Sequence, residues 1–142
     1  MTWFTKTLKK FFELDRFDFN NITLSKNVVD TMIEFARTAY PNEFIAFLQG
    51  KIENKTLKIN SLMYQHFQSS HTSAALKAIL QPLTNAVGSV HSHPSYSNNP
   101  SQEDLRFFNK NPGIHLIICQ PFNIENIAAY DYQGKKLNFK II

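Results

Sequence analysis

The chain has 142 residues, 43% of them hydrophobic and thirteen of them Phe, enough for one well-filled domain core. Fifteen Lys and Arg against eleven Asp and Glu leave a net charge of +4, carried by scattered lysines, which argues against a nucleic-acid footprint. The single cysteine, Cys119, excludes an intrachain disulfide and fits a reducing, cytoplasmic setting, and no apolar run approaches the ~18 residues of a membrane span.

Trp3, Phe4, Leu8, Phe11 and Phe12 recur at near-helical spacing, with Lys6, Lys9 and Lys10 between them. Residues 1–20 therefore read as an amphipathic helical extension ahead of a domain spanning 21–142. Such a helix either packs on the domain's own core or docks on a partner, a second copy or a membrane surface. It has no clean apolar stretch or small-residue cleavage site, so no signal peptide is expected.

The next helix begins at Leu24-Ser25 with Ser25 as N-cap. Val28, Val29, Met32, Ile33, Phe35 and Ala36 form its apolar face, and Pro41 stops it near Ala39. Phe44 to Gln49 reads as a central strand, residues 50–55 turn the chain, and Leu57, Ile59, Leu62 and Tyr64 mark a partner strand. A polar loop over 65–72 leads to a helix over 73–83, and Ala86 to Val90 forms a buried strand ending at His91. A helix over 102–109 ends at Asn111-Pro112-Gly113. Strands follow over 114–120, 127–132 and 137–142, with Gln133-Gly134 turning the chain before the last. The sum is an α/β single domain with a mixed, curved sheet flanked by helices.

The chemistry gathers after the Ala86 strand, in Val90-His91-Ser92-His93-Pro94 and the loop to Ser101-Gln102-Glu103-Asp104. Residues two apart on a strand share a face, so both imidazoles can reach one point in space. Asp104 lies on the first turn of the next helix and can bring a carboxylate to the same point. Three ligands with an open fourth position is the pattern of catalytic zinc. Taken alone, Ser-x-x-Asp is also a capping-box pattern, with Ser101 capping the helix and Asp104 reaching back to it.

The spacing His-x-His, seven residues, Ser, two residues, Asp resembles the signature of the JAMM metalloproteases, the JAB1/MPN/Mov34 domain. The family also carries a glutamate upstream at the start of a strand, and Glu43 stands there, with Ala46 at the following small-residue position. The resemblance covers roughly Leu24 to Tyr132 and implies a fold related to that of the cytidine deaminases. It implies Zn2+ held by His91, His93 and Asp104, Glu43 as general base and then acid, and Ser101 as a donor to the oxyanion. The implied reaction is hydrolysis of a peptide or isopeptide bond, with a ubiquitin-like or sulfur-carrier-type modifier as substrate. Larger family deubiquitinases carry two insertions that grip a distal ubiquitin, and this chain has little room for the second between the Asp104 helix and Ile114.

Other classes fit less well. A non-catalytic, metal-stabilised interaction module is disfavoured because every ligand is present. A RadC-like, nucleic-acid-associated protein shares the histidine motif, but the modest charge lacks a basic stripe. A zinc deaminase needs a Cys-x-x-Cys ligand pair that one cysteine cannot supply. Cys119 lies in the apolar run Leu116-Ile117-Ile118, as expected of a buried inert thiol rather than a nucleophile. His66, His71 and His115 have no spacing that recruits them to the site.

Overall fold

The computed structural model describes residues 18–64 and 86–142; residues 1–17 of the helical extension expected over 1–20, the loop over 65–72 and the helix over 73–83 lie outside them, and residues 18–20 are not helical. In chain order the described elements are β1 (Asn21–Leu24), α1 (Lys26–Ala39), β2 (Ile45–Glu53), β3 (Thr56–Tyr64), β4 (Ala86–His93), α2 (Gln102–Lys110), β5 (Ile114–Cys119), β6 (Ile127–Tyr130), β7 (Lys136–Leu137) and β8 (Lys140–Ile141). All eight strands join one mixed sheet in the order β7-β6-β5-β4-β2-β3-β1-β8.

Ser25 starts α1, its Oγ accepting the Val28 N–H at 3.2 Å. The strand before it departs from the sequence reading, which began a helix at Leu24. Asn21–Leu24 instead pairs in parallel with β3 on one side and β8 on the other, burying Ile22 and Leu24. Four residues are too few to display a period, and both partners are distant in sequence.

The expected turn over 50–55 is also shorter than predicted. β2 runs on to Glu53, and only Asn54 and Lys55 turn the chain, with φ of 50° and 62°. Two successive residues at positive φ match the right-handed twist of the paired strands, as two-residue hairpins require. Gly50 lies where the β2–β3 register shifts, and a Cβ there would run into the Lys58 carbonyl.

Near the C-terminus, β6 ends at Tyr130 because Asp131 already begins the turn, its Oδ1 accepting the N–H groups of Gln133 and Lys135. The strand expected over 137–142 divides in two. β7 and β8 lie at opposite edges of the sheet, yet only Asn138 and Phe139 separate them. That link spans no more than about 11 Å. The sheet must therefore roll until its two edges nearly meet, and this accounts for its curvature.

Side-chain alternation sends two cores to opposite faces. Ala46, Leu48, Val90, Leu116, Ile118 and Ala129 join α1's Val28, Val29, Met32 and Ala36. Ile45, Phe47, Ile117, Ala128 and Tyr130 join Phe107 and Phe108 of α2. Helices thus flank both faces, and α2 covers the one toward which His91 and His93 project.

Candidate metal centre

The site forms where β4 ends and α2 begins. His91 Nε2 and His93 Nε2 lie 3.1 Å apart. Asp104 meets both, Oδ1 at 3.2 Å from His91 Nε2 and Oδ2 at 3.0 Å from His93 Nε2. Among the described residues these three form a group able to hold a metal ion, one ligand atom from each lying within 4.8 Å of the others. The cluster is largely buried, with His91 only 7% exposed.

Local structure explains how a helix residue reaches a strand end. Ser101 is the N-cap of α2, and its Oγ accepts the Asp104 N–H at 3.0 Å. Asp104 Oδ2 in return accepts the Ser101 N–H at 2.9 Å. The capping box and the metal-type cluster therefore share one carboxylate, and the two readings of Ser-x-x-Asp describe the same geometry. Because Oγ accepts from Asp104, the Ser101 hydroxyl hydrogen is left to donate outward.

The loop from His93 to Ser101 is tied down along its length. Gln120 donates its side-chain amide to the Pro94 carbonyl and its backbone N–H to the Ser95 carbonyl. The Tyr130 hydroxyl donates to the Asn98 carbonyl at 2.8 Å. His93 Nδ1 donates to the Ser97 carbonyl at 2.9 Å. When the ring is neutral, that bond leaves its lone pair on Nε2, toward His91 and Asp104, as a metal ligand requires. The loop crown, Tyr96, stands 77% exposed.

The charges support one another. Burial opposes charging of His93, but hydrogen bonds to Asp104 and Ser97 and the carboxylate charges of Asp104 and Glu43 outweigh it and raise its pKa. Burial also works against the Asp104 carboxylate. Hydrogen bonds from His91 and His93 overcome it and hold the group far below the usual carboxylate range.

Glu43 is exposed, two residues ahead of β2, and is not one of the clustered ligand atoms. Its charge still registers on His93. Ile45 pairs with His91 across the β2–β4 ladder, so Glu43 stands on the lead-in beside the site.

Two nitrogens and a carboxylate are a donor set for a zinc-like divalent cation, and three protein ligands leave one position open for a reactant. By donor chemistry and convergence the residues fit such an ion.

Three contributors escaped the sequence reading. Ser97 acts through its backbone carbonyl, which no side-chain motif can reveal. Ser92, between the histidines, is 1% exposed and holds Phe44. His115, read as ordinary, is fully enclosed behind the site. Its Nε2 donates to the Asn111 carbonyl at 2.6 Å, its Nδ1 accepts the Ser89 hydroxyl at 2.7 Å, and Phe108 stacks on the ring at 4.4 Å. The apolar flanks of His115 signalled burial, but not the helix end it ties down.

Comparison with known proteins agrees with this geometry. Residues 25–132 match the family of prokaryotic homologs of the JAB domain. A relative from Haloferax volcanii named "Probable metalloprotease" is 26% identical over 129 residues, covering 85% of this chain and 80% of that protein. The structure of a JAB1/MPN domain protein from Archaeoglobus fulgidus aligns with a TM-score of 0.67 at 29% identity, covering 84% of this chain and 98% of that one. A structure described as JAMM, a metalloprotease-like zinc site in the proteasome and signalosome, aligns with a TM-score of 0.65 at 28% identity, covering 87% of this chain and 99% of that one. The chain belongs to the family of prokaryotic homologs of the JAB domain, with a metalloprotease-like JAMM fold.

Proposed function

We propose that this protein is a zinc metalloprotease that hydrolyses a peptide or isopeptide bond, releasing a ubiquitin-like or small sulfur-carrier-type modifier after its C-terminal tail. The observation that carries the reading is the convergence of His91, His93 and Asp104 within 4.8 Å at a helix start whose Ser101 hydroxyl is free to donate. A zinc ion held by these three would supply a Lewis acid and bring the pKa of a coordinated water to about 7.

The remaining chemistry belongs to the chain. Glu43, exposed and off the cluster, takes a proton from the attacking water and passes it to the leaving amine. Ser101 donates its hydroxyl hydrogen to the oxyanion that develops on the scissile carbonyl. The Ser97 carbonyl keeps His93 in the tautomer that presents Nε2. The capping box holds Asp104 in place, so the carboxylate does not have to be ordered when the ion binds.

The compact build supports a small modifier. Only residues 111–113 link α2 to β5, which leaves no substrate-gripping insertion there. An extended C-terminal tail can enter such an open site as an added strand.

The test begins with metal content. Wild type is expected to carry about one zinc per chain, lost in a His91→Ala, His93→Ala double variant. Wild type should cleave linear and isopeptide-linked ubiquitin-fold fusions, and Glu43→Gln should keep its zinc while turnover falls ~10²- to 10⁴-fold. Full turnover in Glu43→Gln would remove Glu43 from the mechanism. Zinc bound without hydrolysis of any conjugate would establish a metal-stabilised interaction module instead.

A further inference from the structure

Between the two histidines sits a residue that cannot reach the metal-type cluster. Successive strand residues point to opposite faces, so Ser92 projects away from the side shared by His91 and His93. It is nonetheless 1% exposed, and its hydroxyl has a specific partner. Ser92 Oγ accepts the Phe44 N–H at 2.8 Å, in a buried bond. The Ser92 N–H donates to the Phe44 carbonyl at 2.9 Å.

These two bonds lie just past the end of a ladder. β2 and β4 pair as Ile45 with His91, and Phe44 with Ser92 is the next step. In a regular antiparallel pair the reciprocal bond would run from the Phe44 N–H to the main-chain carbonyl of Ser92. Here the side-chain hydroxyl takes that N–H instead. The lead-in to β2 is therefore placed by a serine side chain at the point where Glu43 precedes it.

Phe44 is itself immobilised, 2% exposed, in the α1-side core and with its ring 5.5 Å from that of Phe35. Glu43, by contrast, is exposed, so its side chain is not fixed by packing. Its position rests on its backbone, and the next N–H along that backbone is the one Ser92 holds. Ile45 pairs with His91 and Phe44 bonds to Ser92, while Phe44 and Ile45 sit in opposite cores, so by alternation Glu43 falls on the face that carries His91 and His93.

We propose that Ser92 is a positioning residue: its buried hydroxyl clamps the Phe44 N–H and so sets Glu43 against His91, His93 and Asp104. This rests on the protease reading, in which Glu43 is the proton carrier. Removing the hydroxyl would strand a buried N–H, which can recover a partner only if the lead-in shifts. A shift of about 1 Å in a reacting group is enough to cost ~10²-fold in rate. The three candidate ligands keep their own supports, in β4, the Ser97 carbonyl and the capping box, so metal binding should not change.

The experiment compares wild type with Ser92→Ala and Ser92→Thr, each loaded with zinc, on a linear ubiquitin-fold fusion that the wild type cleaves. For Ser92→Ala we expect kcat to fall about 10- to 100-fold with KM unchanged, and zinc affinity to stay within about threefold of wild type. Ser92→Thr, which restores the hydroxyl, should recover most of the loss. In the Glu43→Gln background, Ser92→Ala should cost nothing further, because there is no carboxylate left to place.

Amide hydrogen exchange gives a readout independent of turnover. The Phe44 N–H should lose at least about tenfold in protection in Ser92→Ala and regain it in Ser92→Thr. Unchanged Phe44 protection would overturn the clamp. So would full turnover in Ser92→Ala, or a parallel loss of zinc affinity and kcat, which would mark a general structural role. If Ser92→Ala fails to fold, Ser92→Cys, close in shape and a poor acceptor, carries the same readouts. A wild type that cleaves no fusion overturns the protease reading and the positioning role with it, whereas a variant-specific result bears on Ser92.

Discussion

His115 offers a prediction whose size can be worked from the structure. The ring is 1% exposed, donates to Asn111 at the C-cap of α2, accepts from Ser89 on β4, and stacks against Phe108. Both ring nitrogens are satisfied in the neutral form. Burial, opposed by the Asn111 carbonyl and reinforced by nearby His91, pulls its pKa down from 6.5 to about 4. The folded state therefore binds this proton more weakly than the unfolded chain does. The stabilising contribution is fully present above pH 6.5 and is lost as the pH falls toward 4. The full span is about 3 kcal/mol, of which about 2 kcal/mol disappears between pH 7 and pH 5. The perturbation is His115→Gln, which removes the titrating group and retains polar atoms. Urea unfolding of metal-free wild type and variant at both pH values gives the comparison. His115→Gln will start less stable at pH 7, but the wild type should lose about 2 kcal/mol more than the variant on going to pH 5. Equal losses would refute the reasoning, because they would mean that the folded protein does not hold this ring neutral.

Two further outcomes follow from the frame around the site. Ser101→Ala should keep zinc, lose about 1 kcal/mol of stability through the missing N-cap, and lose ~10²-fold in kcat; Ser101→Thr should restore both, checked by urea unfolding and fusion cleavage. Gly88→Ala should cost about 3 kcal/mol by urea unfolding, because the β4–β5 ladder leaves no space for a Cβ against the Ile114 carbonyl.

Much of the site was legible because its geometry is local. His91 and His93 are two apart on one strand, and Asp104 is on the first turn of the helix that follows, so spacing alone brings three donors together. The elements around them were readable where burial runs were long, as in β2 and β5. The misses share a physical cause. β1 exists because β3 and β8 flank it, and neither is near in sequence. The splitting of residues 136–141 between the two edges depends on the closure of the whole sheet, which no window of residues encodes. The β2–β4 register shifts between Leu48 and Gln49, so the alternation of β4 changes within the strand, and a single-period reading of Ala86 to Val90 cannot see that. Ser97 acts through its backbone carbonyl, which leaves no trace in residue type, and the Ser92 hydroxyl binds a backbone N–H of a segment distant in sequence, which local spacing does not reveal.

The sharing of one carboxylate between helix cap and metal cluster makes its two roles separable by choice of substitution. Asp104 Oδ2 accepts the Ser101 N–H and faces His93, whereas Oδ1 faces His91. An asparagine can keep its one oxygen on the Ser101 N–H, and its amide then points hydrogens where an anionic ligand stood. Asp104→Asn should therefore hold α2 to within a few tenths of a kcal/mol while zinc affinity falls ~10²-fold or more. Asp104→Ala loses the oxygen as well, and should show the same zinc defect with about 1 kcal/mol less stability in metal-free urea unfolding. Zinc titration and unfolding of both variants separate the contributions. If Asp104→Asn binds zinc as tightly as wild type, the carboxylate is a cap and the histidines find their third ligand elsewhere. If Asn and Ala unfold alike without metal, the capping bond adds nothing and the metal role stands alone.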